Sequence, residues 1–392
     1  MPLAEFAAMT AYMISLVALG IDSMLPALHT IGAEMGVTDP NRPQWIISAF
    51  FLGLAVGQLL YGPVSDTTGR RPTIFAGLFL FILGCILSMV STSFTMQLAG
   101  RVLQGFGAAG PRIVSLAIVR DQYEGREMAK VSSIIMGFFV VVPALAPLLG
   151  QTITHIAGWR AVYFVLLAMA ALVFVWYGTR LGETLHPEYR RKFSLGTVAS
   201  GVWEVLTTKV ALGYTLGAGL VFGAFVSYLM TSPQLFEDLF GITDKFPYYF
   251  GGLSIAIGSA ALVNSRLVMK FGMRKLCMGA VFAQITVSVV FFILAWLQGG
   301  HLSLIEFLIW AVLAFFVLGV MFGNVNAIAM EPLGHIAGIG SAVVGSVSGI
   351  VSVTLGTLIG QQFNGTVLPL IGGFVVLGVC SFLVMRWADK HG

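Results

Sequence analysis

Apolar segments of about twenty residues recur along nearly the whole sequence, near 8 to 29, 45 to 62, 72 to 92, 95 to 118, 131 to 154, 159 to 179, 210 to 233, 247 to 269, 276 to 297, 304 to 328, 336 to 358 and 362 to 387. A helix needs roughly 20 apolar residues to cross about 30 Å of hydrocarbon, and only helices or closed barrels satisfy their own backbone there. The pattern therefore predicts an all-α membrane protein with twelve transmembrane helices. Composition agrees. Of the 392 residues 57% are hydrophobic and only 10% are charged, with a mean hydropathy of +0.92, whereas soluble domains carry about 25% charged residues. Cys85, Cys277 and Cys380 all fall in apolar segments without pairwise or metal-ligand spacing, so neither a disulfide framework nor a metal site is expected. No Lys or Arg precedes the first apolar stretch and no small-residue cleavage site follows it, so a cleaved signal is not expected either.

The basic residues gather in connections of one parity: Arg70 and Arg71; Arg120, Arg126 and Lys130; Arg180, Arg190, Arg191, Lys192 and Lys209; Lys270, Arg274 and Lys275. The other parity holds little beyond Arg42, Arg160 and Lys245. By the positive-inside rule both termini should be cytoplasmic, and the net charge of +4 needs no nucleic-acid partner to explain it. The longest connection is polar, basic and carries Pro187. It divides the chain into an N-terminal six-helix bundle (1–180), a cytoplasmic linker (181–209) and a C-terminal six-helix bundle (210–392). An internal repeat supports that division: GPVSDTTGRRP at 62 to 72 aligns with SRLVMKFGMRK at 265 to 275. Gly272 then matches Gly69 and Arg274 matches Arg71, but Met269 stands where Asp66 does. Two pseudo-symmetric halves are the signature of a parallel repeat around a midplane site.

Asp22 lies inside the first apolar segment, in AYMISLVALGIDSMLPALHTIG. An ionisable group there costs several kcal/mol unless it faces a bundle interior, so it marks an ion or substrate pathway. Arg101, in the fourth segment, is expected at a similar depth and within reach of it. Burial and a nearby arginine act in opposite senses on a carboxylate's hold on its proton, so rearranging such a pair moves a proton. The alternative is a permanently neutral or salt-bridged Asp22 that fixes helix packing. Arg112 lies eleven residues beyond Arg101, nearly the same helical face, so the two should face one cavity. His29 is expected at a helix end. In the second half no charge falls mid-segment, and Tyr228, Gln234, Gln284, Asn324 and Asn326 are the candidates to orient a substrate in an apolar cavity.

Several runs carry a family resemblance. GPVSDTTGRRP resembles the loop signature between the second and third helices of the major facilitator superfamily, through Gly62, Asp66, Gly69, Arg70 and Arg71. The usual basic residue after the Asp is replaced by Thr67. RVLQGFGAAGPR resembles the family's fourth-helix signature through Arg101, Gln104, Gly105 and Gly107. GFFVVVPALAPLLGQ resembles the antiporter signature of the fifth helix through Pro143, Pro147 and Gly150, with Ala146 and Gln151 departing from it. Around Asp22, the residues Pro26, Ala27 and Leu28 match the first-helix pattern of the bicyclomycin and chloramphenicol resistance group of twelve-span drug/proton antiporters.

The resemblance implies a proton-coupled multidrug efflux antiporter that exports small amphipathic or lipophilic compounds by alternating access. Protons, small-molecule drugs or metabolites and the lipid bilayer would be its partners, with a bacterial inner membrane as its place and a monomer as its state. It implies a cytoplasmic gate at Asp66, Arg70 and Arg71. Neither a cofactor nor enzymatic activity is expected. No GxxxxGK[ST] loop is present to drive export by ATP, and no GxSxG elbow or metalloprotease pair appears. The competing readings are a proton-coupled metabolite uptake symporter and a non-transporting membrane sensor.

Overall fold

A computed structural model describes residues 1–190 and 194–391, except for the side chains of Ala129, Met136, Phe139, Val140 and Leu195. Arg191 and Lys192, two basic residues of the central connection, lie outside the described residues. Everything regular among the described residues is helical. Among the described residues ten stretches are long and apolar enough to cross a membrane, one of which, Leu304–Gly360, contains two helices. The chain forms two compact units, Met1–Thr38 with Trp45–Ser200, and Asp39–Gln44 with Gly201–Gly392.

The first unit contains α1 (Leu3–Asp22), the short α2 (Leu28–Glu34), α3 (Trp45–Thr68), α4 (Arg70–Met89), α5 (Phe94–Gln122), α6 (Gly125–Ala157) and α7 (Trp159–Arg180). The first apolar segment, expected over 8 to 29, lies within one candidate span, Leu3–Glu34, in which the α-helix is interrupted. Its helix stops at Asp22, a 3-10 turn covers Leu25–Ala27, and α2 carries the chain onward. Pro26 at the head of that turn has no N–H to continue the ladder, which accounts for the break. His29 is exposed near the start of α2. At the centre of this unit α5 packs against α3 and α4. The close approach needs side-chain-free positions: a Cβ on Gly105 would lie 1.9 Å from the Phe50 carbonyl oxygen, and one on Gly107 2.2 Å from the Phe81 nitrogen. Small residues at such crossings let membrane helices gain van der Waals contact where no hydrophobic driving force is available.

Between α7 and the second unit, the connection expected to be a polar, basic linker includes a helix, α8 (Leu195–Thr207). Val205 of α8 is fully buried, and Glu204 pairs with His335 at 2.6 Å. The second unit then comprises α9 (Lys209–Phe240), α10 (Phe246–Phe271), α11 (Met273–Leu297), α12 (Leu304–Met330), α13 (Ala337–Gly360) and α14 (Leu368–His391). Its central helix is α9, packed on α12, α13 and α14. Asp39–Gln44 joins this unit through Asn41, whose Nδ2 donates to the carbonyls of Gln361 (3.1 Å) and Phe363 (2.8 Å).

Candidate functional site

Asp22 is the last residue of α1 and is 5% exposed. Among the described residues it has neither an ion-pair nor a hydrogen-bond partner. Its setting is fixed from α6. A Cβ on Gly150 would lie 1.9 Å from the carbonyl oxygen of Ser23, so the backbone beside Asp22 rests directly on this glycine. Pro143 and Pro147 lie on the same helix, which runs unbroken through both.

Arg101 is fully buried on α5 but does not meet Asp22. Its Nε donates to the Ile46 carbonyl at 3.1 Å, its Nη1 donates to Gln104 Oε1 at 2.5 Å, and the guanidinium stands 4.6 Å over the Phe50 ring. Nη2 has no partner. The cation is therefore held by a carbonyl, an amide and an aromatic face, with no carboxylate. Gln104 turns its own amide toward Cys85 Sγ at 3.1 Å. Arg112 is only partly exposed and has no ion-pair or hydrogen-bond partner among the described residues. The expectation of two arginines facing one cavity is revised on this geometry, because α3 covers Arg101.

At the turn between α3 and α4 the structure assembles a charge cluster. Arg70 reaches Asp66 (2.5 Å), Asp121 at the end of α5 (2.8 Å) and Ser65 Oγ (2.9 Å). Ser65 in turn donates to the Gly62 carbonyl at 2.9 Å. Arg71 donates to the Gly178 carbonyl at 2.7 Å. The sequence reading missed two members, Asp121 and Glu183. Glu183, just beyond α7, accepts the backbone N–H groups of Arg70 (2.9 Å), Arg71 (3.1 Å) and Leu185 (2.9 Å), and so caps the N-terminus of α4. Burial pushes the Glu183 carboxyl up, but these N–H donors and the charge of Arg190 outweigh it and hold it below the usual carboxylate range. Gly69 makes room for this cap: its φ is +107°, and a Cβ there would stand 2.4 Å from Glu183 Oε2.

The second unit repeats this arrangement with different charges. Gly272 has φ +77°, and Arg274 pairs with Glu331 (3.0 Å) and Asp389 (3.3 Å), while Tyr214 donates to Asp389 at 2.9 Å. Met269, which stands in the place of Asp66, is 86% exposed.

The five candidate substrate residues have different surroundings. Tyr228 is buried between Phe315 (4.6 Å between ring centroids) and Phe250 (6.0 Å). Asn324 donates to Asn264 Oδ1 at 2.7 Å. Gln284 is fully buried, and neither atom of its amide has a partner among the described residues. Gln234 accepts from Gln44 at 3.2 Å, whereas Asn326 is exposed and donates to the Phe322 carbonyl of its own helix. The reading also missed an aromatic face, Phe222, Phe225 and Phe322, which continues to Phe315 and Tyr228. Aromatic side chains with a few polar groups are the usual makeup of a small-molecule site.

Comparison with known proteins agrees with this architecture. The profile of the Major Facilitator Superfamily matches residues 3–360. An uncharacterized MFS-type transporter, YdgK of Bacillus subtilis, is 30% identical over 376 residues, covering 95% of this chain and 92% of its own. The bicyclomycin resistance protein homolog of Haemophilus influenzae is 29% identical over 389 residues, covering 95% and 94%. Among solved structures, the human organic anion transporter MFSD10 superimposes with a TM-score of 0.71 at 16% identity over 99% of this chain and 100% of its own. The Escherichia coli xylose transporter XylE gives 0.73 at 12% identity, over 99% and 97%.

Proposed function

The chain belongs to the major facilitator superfamily, and from that premise we propose that it is a proton-coupled efflux antiporter. It is a multi-pass membrane protein with the fold of small-molecule transporters, a family of carriers and not of enzymes. Relatives named for bicyclomycin, chloramphenicol and multidrug resistance support export of small amphipathic or lipophilic compounds. The aromatic face of the second unit supports the same substrate class.

The observation that carries the proposal is Asp22: a carboxyl group held inside a membrane unit, at the end of α1, with no ion-pair partner among the described residues. Protonation removes the cost of burying its charge, which amounts to several kcal/mol. Release of the proton then requires water or a cation to reach Asp22, and hence a different arrangement of the helices. That requirement couples the proton to alternating access. Arg112, which has no ion-pair partner among the described residues, would serve as the cation for a deprotonated Asp22, while Arg101 fixes α5 to α3. The cluster of Asp66, Arg70 and Arg71, anchored by Asp121 and Glu183, serves as the cytoplasmic gate. The protein works as a monomer in a bacterial inner membrane, with both termini cytoplasmic.

Liposomes holding the purified protein and an imposed pH gradient test the proposal. Adding substrate compounds should drive protons in the direction opposite to the compound. Co-accumulation of compound and proton on one side would replace antiport with symport.

A further inference from the structure

The second unit carries a groove whose lining includes none of the residues assigned above to proton coupling or to the cytoplasmic gate. It has a volume of about 250 Å³ and is lined by Leu267 and Phe271 of α10, Lys275, Leu276, Gly279 and Ala280 of α11, and a patch of α12. Lys275 is the only charged residue in this lining. The groove forms because α12 packs along both α10 and α11, while α10 and α11 meet each other only sparingly. Gly279 is exposed on its wall with nothing within 4 Å of where its Cβ would be.

Three features narrow what fills it. First, the groove lies on helices long and apolar enough to span a membrane. Lys275 is the third residue of α11, and from there to Ala280 the lining runs five residues, or about 7.5 Å at 1.5 Å per residue. That stays within one leaflet of a hydrocarbon core of about 30 Å. Second, the volume is below the roughly 300–1,000 Å³ of sites that enclose a compact drug-sized ligand, which suits a chain entering from the side. Third, the charge at the rim is uncompensated. Lys275, Lys270 and Arg266 have no acidic partner among the described residues, in contrast to Arg274, which is taken up by Glu331 and Asp389. The start of α11 has no side-chain cap, so its N–H groups add to the positive field.

We propose that this groove is a binding site for an anionic phospholipid, with an acyl chain between α10 and α11 and the phosphate at Lys275. A basic pocket between membrane helices on the side richer in Lys and Arg is the setting in which acidic head groups are held. The site depends on the membrane reading of the helices and not on Asp22 or on the direction of transport.

Native mass spectrometry of the full chain tests it, with phosphatidylglycerol and phosphatidylcholine of matched acyl chains as probes. The native chain should retain phosphatidylglycerol in preference to phosphatidylcholine. Lys275→Gln should weaken that retention by about fivefold, the effect of one surface cation on an anionic lipid, and Lys130→Gln should leave it unchanged. Gly279→Leu fills the groove from a position with open space, so it should abolish retention while helix content and melting temperature stay native. Equal retention of the two lipids by the native chain, or undiminished retention in a folded Gly279→Leu variant, would overturn the proposal.

Discussion

Replacing Gly150 by Ala puts one methyl group where the structure has no room for it. The new Cβ would lie 1.9 Å from the carbonyl oxygen of Ser23, whereas a carbon-to-oxygen contact settles near 3.3 Å, so the chain beside Asp22 must move by about 1.4 Å. Ser23 is backbone and cannot swing aside as a side-chain end does. Overpacking of this kind costs about 1–3 kcal/mol, which for a unit of this size lowers the melting temperature by roughly 2–12 °C. Displacing a reacting group by about 1 Å costs on the order of 10²-fold in rate, so compound-driven proton movement should fall at least tenfold. Gly137 supplies the control. It sits on the same helix with nothing within 4 Å of its Cβ position, so Gly137→Ala should gain up to about 1 kcal/mol of helix propensity and keep transport intact. Thermal melting and liposome flux of both variants decide the matter. Equal stability and equal flux for the two would refute the close approach of α6 to the α1 break.

Glu183→Gln keeps an acceptor for part of the α4 cap but loses its charge, and should cost about 0.5–1 kcal/mol at neutral pH. Because the native carboxyl is held low, its contribution is present above the ordinary carboxylate range and is lost as pH falls through the lowered value. Melting curves from pH 7 down to about 3 should show the native protein and the Glu183→Gln variant converging, and a constant offset would contradict the cap. Gln284→Leu removes a buried amide that has no partner among the described residues, so stability should hold or rise by about 1 kcal/mol. Export of compounds with hydrogen-bonding groups should fall at the same time relative to export of purely apolar ones, measured as separate liposome fluxes; loss of stability would show instead that the amide is satisfied in the native protein.

The architecture was legible because membrane helices announce themselves by length and hydropathy, and because Gly69 and Gly272 mark equivalent turns. Helix ends were harder. The fifth apolar segment, expected over 131 to 154, is a helix from Gly125 to Ala157, since polar residues extend a helix beyond the apolar window without altering hydropathy. The break after Asp22 had a local signal in Pro26, yet an apolar window averages over it. Within the linker, Val198, Val202 and Val205 recur at helical spacing and could have revealed α8 amid the surrounding charge. Asp121 and Glu183 carried no such signal: they lie 51 and 113 residues from Arg70, and only the packing of α4 against α5 and α7 brings them to it. Arg101 illustrates the opposite error. Depth along two helices placed it level with Asp22, but depth says nothing of azimuth, and its donors turn to Ile46 and Gln104.

The role of Asp22 is tested most directly by Asp22→Asn in liposomes, comparing compound exchange across the membrane at equal pH with uphill movement driven by a proton gradient. If Asp22 carries the coupling proton, the variant should still exchange labelled for unlabelled compound, because the neutral amide mimics the protonated carboxyl, but it should build no gradient of compound from a gradient of protons. Uphill transport that survives in Asp22→Asn would contradict that assignment.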